Sequence, residues 1–282
     1  MENSIELKNV TKGYKSFALK NVSFSVPQGT VMGFIGENGA GKSTTIKAIL
    51  GLIKIDEGEV TILGENSSDI SAETKEKIGV VFDGLAFPDN LTVKQLNKVM
   101  GGIYKSWDSG KFFGFMDKFG LPLNKKFKTF SRGMEMRLSI AAALSHNPQV
   151  LLLDEPTSGL DPVMRSEILD IFLDFMQDET HSILISTHIT GDLEHIADYI
   201  CFIHKGEIVF TEDRNEMLDK YRILKCTDEQ LSLIDEEDII GMRKGRFGNE
   251  VLTDKAEKYA DIPADIPTID EIMVYYVKEQ EE

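Results

Sequence analysis

Cysteine is almost missing from this sequence: 282 residues contain only Cys201 and Cys226. Two thiols cannot build a disulfide framework or a structural zinc site, so a reducing compartment is expected. Long apolar runs are missing too. The longest candidates, such as Val150-Leu151-Leu152-Leu153, are strand-sized, far short of the roughly 18 residues a membrane-spanning helix needs. The start, Met1-Glu2-Asn3-Ser4, has neither a basic segment nor an apolar stretch, so no secretion signal is expected. Positive charge is in deficit, with 31 Lys and Arg against 47 Asp and Glu, a net charge of −16. That balance excludes a general nucleic-acid-binding face and adsorption to anionic lipid by charge alone. It leaves room for a nucleotide, because one nest of N–H groups and one lysine can hold phosphates on an acidic protein.

What is present is an ordinary globular mixture, 41% hydrophobic and 28% charged. At about 150 residues per domain the length fits two domains, or one large domain with an appendage. Residues 5–10 and 22–26 alternate with the period of two of half-buried strands. Residues 30–35 form a nearly continuous apolar run, read as a buried strand, and Lys42 to Leu50 reads as a helix. Further buried strands are expected at 78–82, 150–153 and 182–186. Residues 91–146 are expected to be mostly helical, as are 163–177 behind Pro162 and 189–197. Residues 198–211 read as a hairpin turning at Lys205-Gly206. Buried strands alternating with helices imply an α/β fold with a largely parallel sheet. After about residue 218, charge blocks (Asp235 to Asp238, Arg243 to Arg246) and two prolines, Pro263 and Pro267, change the character. Residues 219–282 are read as a small α+β appendage ending in a helix near 268–279.

Gly36-Glu37-Asn38-Gly39-Ala40-Gly41-Lys42-Ser43 fits G-x-x-x-x-G-K-[ST] between a strand and a helix. The glycines let successive N–H groups point at phosphate oxygens, and the helix N-terminus adds a favourable partial charge. Lys42 is expected to reach the β- and γ-phosphates and Ser43 to ligate Mg²⁺, with Thr44 next in the binding segment. Downstream, Leu151-Leu152-Leu153-Asp154-Glu155 ends an apolar strand in two acids. At the C-terminal tip of a parallel strand, Asp154 can hold Mg²⁺ directly or through water. Glu155 can polarise a water that attacks the γ-phosphate. Alone, such a strand end reads as a pair of solvated acids; behind a phosphate loop it reads as a Walker B motif.

In this order the motifs resemble the nucleotide-binding subunit of an ABC transporter, over about residues 3–215. The resemblance implies a P-loop NTPase of ABC ATPase type. Such a fold has a mainly parallel sheet, an N-terminal antiparallel β layer and a helical subdomain. It divides this chain into an ATPase domain at 1–218, with the helical subdomain at about 85–146, and an accessory α+β domain at 219–282. Tyr14 stands where the family stacks an aromatic ring on adenine, with Phe17 as the alternative. Phe130-Ser131-Arg132-Gly133-Met134 stands where the family reads Leu-Ser-Gly-Gly-Gln. Ser131 and Gly133 match, and in the family this segment contacts the γ-phosphate held by the other subunit. Met134 cannot make a glutamine's polar contacts. Arg132 either adds a cation near the nucleotide or faces solvent. Pro156 to Pro162 resembles the D-loop at the dimer interface. His188, 34 residues after Asp154, matches the switch histidine that contacts the γ-phosphate and helps hold the attacking water. His146, His181, His195 and His204 match nothing in the pattern.

One departure bears on the chemistry. The family's glutamine after the strand at 78–82 is here Asp83. At roughly 5 Å and an effective dielectric near 20, each unit-charge pair is worth about 3 kcal/mol, so an unbridged Asp83 repels the γ-phosphate. Asp83 is therefore expected to ligate Mg²⁺ through water. Phe82-Asp83, the Ser131 to Met134 segment and Pro267 to Ile272 resemble the ABC-2 exporter branch, which includes ATPases of the bacitracin-export and acetoin-operon type. The resemblance implies ATP and Mg²⁺ as cofactors, and Glu155, His188 and Lys42 as catalytic residues. It implies a second ATPase subunit, expected as a homodimer, and a separate ABC-2-type membrane permease. The chain would then lie in the cytoplasm, peripheral on the inner face of the cell membrane, with residues 91–130 toward the permease. The alternatives are a soluble non-transport ABC ATPase and an ATP-gated regulatory module with weak hydrolysis. Neither the paired cassettes of translation-type members nor the long coiled coils of repair-type members are visible.

Overall fold

A computed structural model describes residues 2–84, 86–245 and 248–279; Arg246 of the basic block lies outside them. The chain opens with β1 (Asn3–Gly13), β2 (Ala18–Pro27) and β3 (Val31–Ile35). Then come α1 (Lys42–Ile49), β4 (Glu57–Ile62), β5 (Glu65–Asn66), α2 (Ala72–Glu76) and β6 (Ile78–Val81). The β4–β5 hairpin and α2 are not legible in the sequence. In β4 only Val60 and Ile62 are buried, too short an alternation to stand out.

The segment expected to be mostly helical breaks into α3 (Val93–Ile103), α4 (Ser109–Lys118) and α5 (Arg132–Leu144). Each is started by a side-chain cap from Thr92, Asp108 or Ser131, which satisfies N–H groups the helix leaves open. Then follow β7 (Val150–Asp154), α6 (Pro162–Phe175), β8 (Ser182–Thr187) and α7 (Thr190–Ile196). The hairpin expected at Lys205-Gly206 is β9 (Tyr199–His204) with β10 (Glu207–Asp213). The remainder is α8 (Arg214–Lys220), β11 (Arg222–Cys226), α9 (Asp228–Leu231), β12 (Gly241–Gly245), β13 (Gly248–Thr253), β14 (Ala264–Asp265) and α10 (Ile269–Glu279).

The central sheet runs β10-β9-β3-β8-β7-β6, all parallel except the edge strand β10. Its parallel strands are buried on both faces, and successive side chains serve opposite cores. Met32, Phe34, Val150, Leu152 and Leu184 enter the core shared with α1 and the antiparallel layer β2-β1-β4-β5. Val31, Ile35, Leu151, Leu153, Ile183 and Ile185 enter the core shared with α5, α6 and α7.

The third sheet, β12-β13-β11-β14, has its own small core around Leu224, Val251 and Ile262. It is also joined to the larger core. Ile269, Ile272 and Tyr275 of α10 pack in the same cluster as Leu193 and Ile196 of α7. The hydroxyls of Tyr221 and Tyr276 lie 2.9 Å apart at that seam. Among the described residues no helix is long and apolar enough to cross a membrane.

Candidate functional site: a phosphate loop at the sheet's carboxyl edge

The parallel register brings four loops to one edge. Ile35 lies opposite Thr187, Asp154 opposite Ser186, and Val81 opposite Leu153. The residues following these strands, Gly36 onward, Asp83, Glu155 and His188, therefore share the carboxyl edge, where α/β sheets bind ligands.

The loop from Gly36 to Gly41 closes over a cavity of about 360 Å³. Its lining comprises Phe17, Glu37, Asn38, Gly39, Gly41, Lys42, Ser43, Thr44, Asp83 and Glu155. Gly41 caps α1 at φ 122, and a Cβ there would sit 2.7 Å from Leu19 Cδ2 and 2.9 Å from Phe17 Cζ. At Gly36 a Cβ would lie 2.4 Å from the Ile203 carbonyl oxygen. Only glycine fits either position. Because Gly41 has no side-chain acceptor, the N–H groups of α1's first turn stay available to an anion. Ala40 is buried beneath the loop, where its carbonyl accepts from Gly206 N–H at 2.9 Å. The β9–β10 turn thus buttresses the loop from behind.

Lys42 is 6% exposed; its Nζ lies 2.7 Å from the Gly36 carbonyl oxygen and 3.4 Å from Glu155 Oε1. The other oxygen of Glu155 lies 2.7 Å from His188 Nδ1. Glu155 has φ 53, a left-handed backbone uncommon outside glycine. Its N–H donates to the Ser186 carbonyl at 3.0 Å and lies 3.2 Å from Ser186 Oγ. Ser186 Oγ also donates to Asp154 Oδ1 at 2.6 Å. One buried serine on the neighbouring strand therefore holds both acids. The sequence reading missed Ser186, although its place just before Thr187-His188 offered the cue.

The residues expected to serve magnesium fit the task only in company. Among the described residues no group of three or more His, Cys, Asp or Glu side chains could hold a metal. Ser43 and Asp83 do line the cavity, and Asp154 is buried beside it on Ser186. An all-oxygen set completed by phosphates and water suits Mg²⁺, which keeps waters and takes few protein carboxylates.

Two of the positions that depart from the family pattern meet. Arg132 Nη2 donates to Asp83 Oδ1 at 2.7 Å and lies 3.4 Å from Ser158 Oγ. Of the two readings of Arg132, the structure supports neither outright, since its guanidinium is half exposed but engaged. Ser131 caps α5, accepting from Met134 N–H. Ser131 and Gly133 stand outside the lining of this chain's own phosphate cavity. Asp161 caps α6 by accepting from Val163 and Met164 N–H, with Pro162 in its first turn. In the same loop Thr157 Oγ1 donates to the buried Asp192 at 2.6 Å.

Of the two aromatic candidates, Phe17 lines the cavity. Tyr14 stands farther out, half exposed and stacked on Phe17 at 6.5 Å. Of the histidines that matched nothing, His204 is buried with Nδ1 3.6 Å from Glu37 Oε2 of the loop. His146 stacks on Tyr104 with Nε2 3.1 Å from the Ile78 carbonyl oxygen. In the 91–130 region, Phe112 and Phe119 are core, while Phe87, Leu91, Phe113 and Phe115 are partly buried against it.

Comparison with known proteins agrees with this geometry. A family model described as ABC transporter matches residues 19–158. The uncharacterized ABC transporter ATP-binding protein YhcH of Bacillus subtilis is 30% identical over 290 residues, 99% of this chain and 92% of that protein. The bacitracin transport ATP-binding protein BcrA of Bacillus licheniformis is 36% identical, over 74% of this chain and 69% of its own. Among solved structures, a dimeric ATP-binding cassette in a post-hydrolysis state bound to ADP and Pi superposes with a TM-score of 0.66. It is 28% identical, covering 74% of this chain and 98% of that one.

Proposed function

This chain belongs to the ATP-binding subunits of ABC transporters, ATP-hydrolysing enzymes, and from that premise we propose that it is the motor of an exporter, working in pairs on a separate ABC-2-type permease. The observation that carries the reading is Glu155, held between Lys42 and His188 at the phosphate cavity. Export is favoured by the likeness to a bacitracin transport protein. As the motor of such a permease, the chain would act from the inner face of the cell membrane.

The proposed mechanism assigns each side chain a task. The N–H groups from Gly36 to Thr44 cradle the phosphates. Lys42 turns from the Gly36 carbonyl to the β- and γ-phosphate oxygens. Ser43 and Asp154 would hold Mg²⁺, and Asp83 would contact it through water. Bound there, the metal would supply positive charge to offset that of the phosphates. Glu155 takes a proton from the attacking water, and His188, through Nδ1–H, fixes the carboxylate's direction. Phe17 with Tyr14 forms the aromatic shelf for the base. Ser131 and Gly133, outside their own chain's cavity, meet the γ-phosphate in a second copy, so two nucleotides close a head-to-tail homodimer.

The test is light scattering of the Glu155→Gln protein with and without ATP and Mg²⁺. A nucleotide-dependent shift from monomer to dimer is expected. ATP binding without any shift would overturn the homodimeric arrangement, and failure to co-purify with any membrane protein would overturn the transport role.

A further inference from the structure

We propose that Arg132 is a positioning residue that acts through Asp83, holding that carboxylate until a metal nucleotide takes it over. The inference rests on the reading of the cavity as an ATP site. Two loops and the start of a helix meet at one guanidinium. Asp83 comes from the loop after β6, Ser158 from the loop after β7, and Arg132 itself is the first residue of α5. A Cβ on Gly159 would lie 3.6 Å from Arg132 Nε, so the side chain fills the space beside that loop. Asp83 faces the same cavity as Lys42, Ser43 and Glu155, while Ser131, one residue before Arg132, stands outside its lining.

The charges explain the pairing. A carboxylate on the wall of a phosphate site repels the incoming triphosphate unless a cation offsets it. Arg132 is that cation at 2.7 Å. Mg²⁺ bound with the nucleotide is a second and competing cation. When Asp83 turns to the metal, Arg132 loses its strongest contact, and the first turn of α5 is released from the loop that carries Asp83. The arginine thereby ties occupancy of one site to the freedom of the Ser131 segment. Each partner of the pair at Asp83 and Arg132 makes chemical sense of the other.

The experiment measures equilibrium binding of a fluorescent ATP analogue, in EDTA and in excess Mg²⁺, to the wild type, R132Q, R132K, D83N and the R132Q/D83N double variant. Without metal, R132Q should bind about two- to five-fold more weakly, the range an exposed ion pair supports. R132K should recover most of that loss. D83N should bind metal-free nucleotide more tightly than the wild type, and adding R132Q to it should change nothing further. With Mg²⁺, wild type and R132Q should bind nearly alike. Equal effects of R132Q in the wild-type and D83N backgrounds, or with and without Mg²⁺, would overturn the proposal. So would a D83N protein indistinguishable from wild type, a result that stands even if the arginine variants fail to fold. A wild type that binds no nucleotide would instead remove the ATP-site reading on which the inference rests.

Discussion

Glu155 and His188, 33 residues apart in the chain, meet with Glu155 Oε2 2.7 Å from His188 Nδ1. The same carboxylate group faces Lys42 on its other side. Ser186 on β8 bonds the Glu155 backbone and the Asp154 carboxylate, so the neighbouring strand anchors the segment from which the Glu155 side chain projects.

Glu155→Gln keeps the shape of that triangle and removes the proton acceptor. Turnover should fall by about 10²–10⁴-fold with ATP still bound. Steady-state phosphate release alongside nucleotide binding checks it, and near-normal turnover would remove Glu155 as the base.

Lys42→Ala deletes the cation at the mouth of α1. Nucleotide affinity itself should drop, read by titration with a fluorescent ATP analogue. Wild-type affinity in that variant would contradict the cradle arrangement.

Asp83→Gln exchanges a charged oxygen donor for a neutral one. A higher Mg²⁺ concentration should be needed for half-maximal ATPase activity, because an amide is the weaker ligand for a hard cation. Unchanged activity with an unchanged metal requirement would take Asp83 out of the metal site.

Thr157→Val leaves the buried Asp192 Oδ2 without its 2.6 Å partner, Arg165 at 3.8 Å facing only the other oxygen. A buried acceptor left unpaired costs about 1–3 kcal/mol. The urea midpoint of unfolding should shift down accordingly, while Thr157→Ser, which keeps the hydroxyl, should stay close to wild type.

His146 supplies a pH dependence. Burial holds its imidazole below the ordinary value of 6.5, against the opposing pull of the Ile78 and Ala142 carbonyls. As pH falls below that ordinary value the unfolded chain takes up the proton first. The stabilisation by the neutral ring is thus present at higher pH and lost as pH falls toward the folded-state value. Stability curves of His146→Gln should be flatter than wild type as pH falls below the ordinary value of 6.5. Identical slopes would show that the ring does not contribute.

The phosphate loop and the strand ending in Asp154-Glu155 were legible in the sequence because their physics is local. A glycine turn ahead of a helix and an apolar run closed by acids are each written within a few neighbouring residues. Ser186 escaped because its partners are on another strand, and a serine in a buried run carries no mark of what it will bond. The choice between Tyr14 and Phe17 escaped for a similar reason: three residues apart in a loop, they differ only in which ring the fold turns toward Gly41.

The sequence by itself determined the strand and helix alternation, the phosphate-binding loop and the acids and histidine at strand ends. The tertiary structure alone decided the sheet order β10-β9-β3-β8-β7-β6, because buried parallel strands all read as the same apolar run and do not name their neighbours. That order sets Glu155 against His188, brings Arg132 to Asp83, and seats α10 on α7, the helix that follows His188. Each of these contacts depends on ladder register and packing across long stretches of chain, and neither periodicity nor spacing records them.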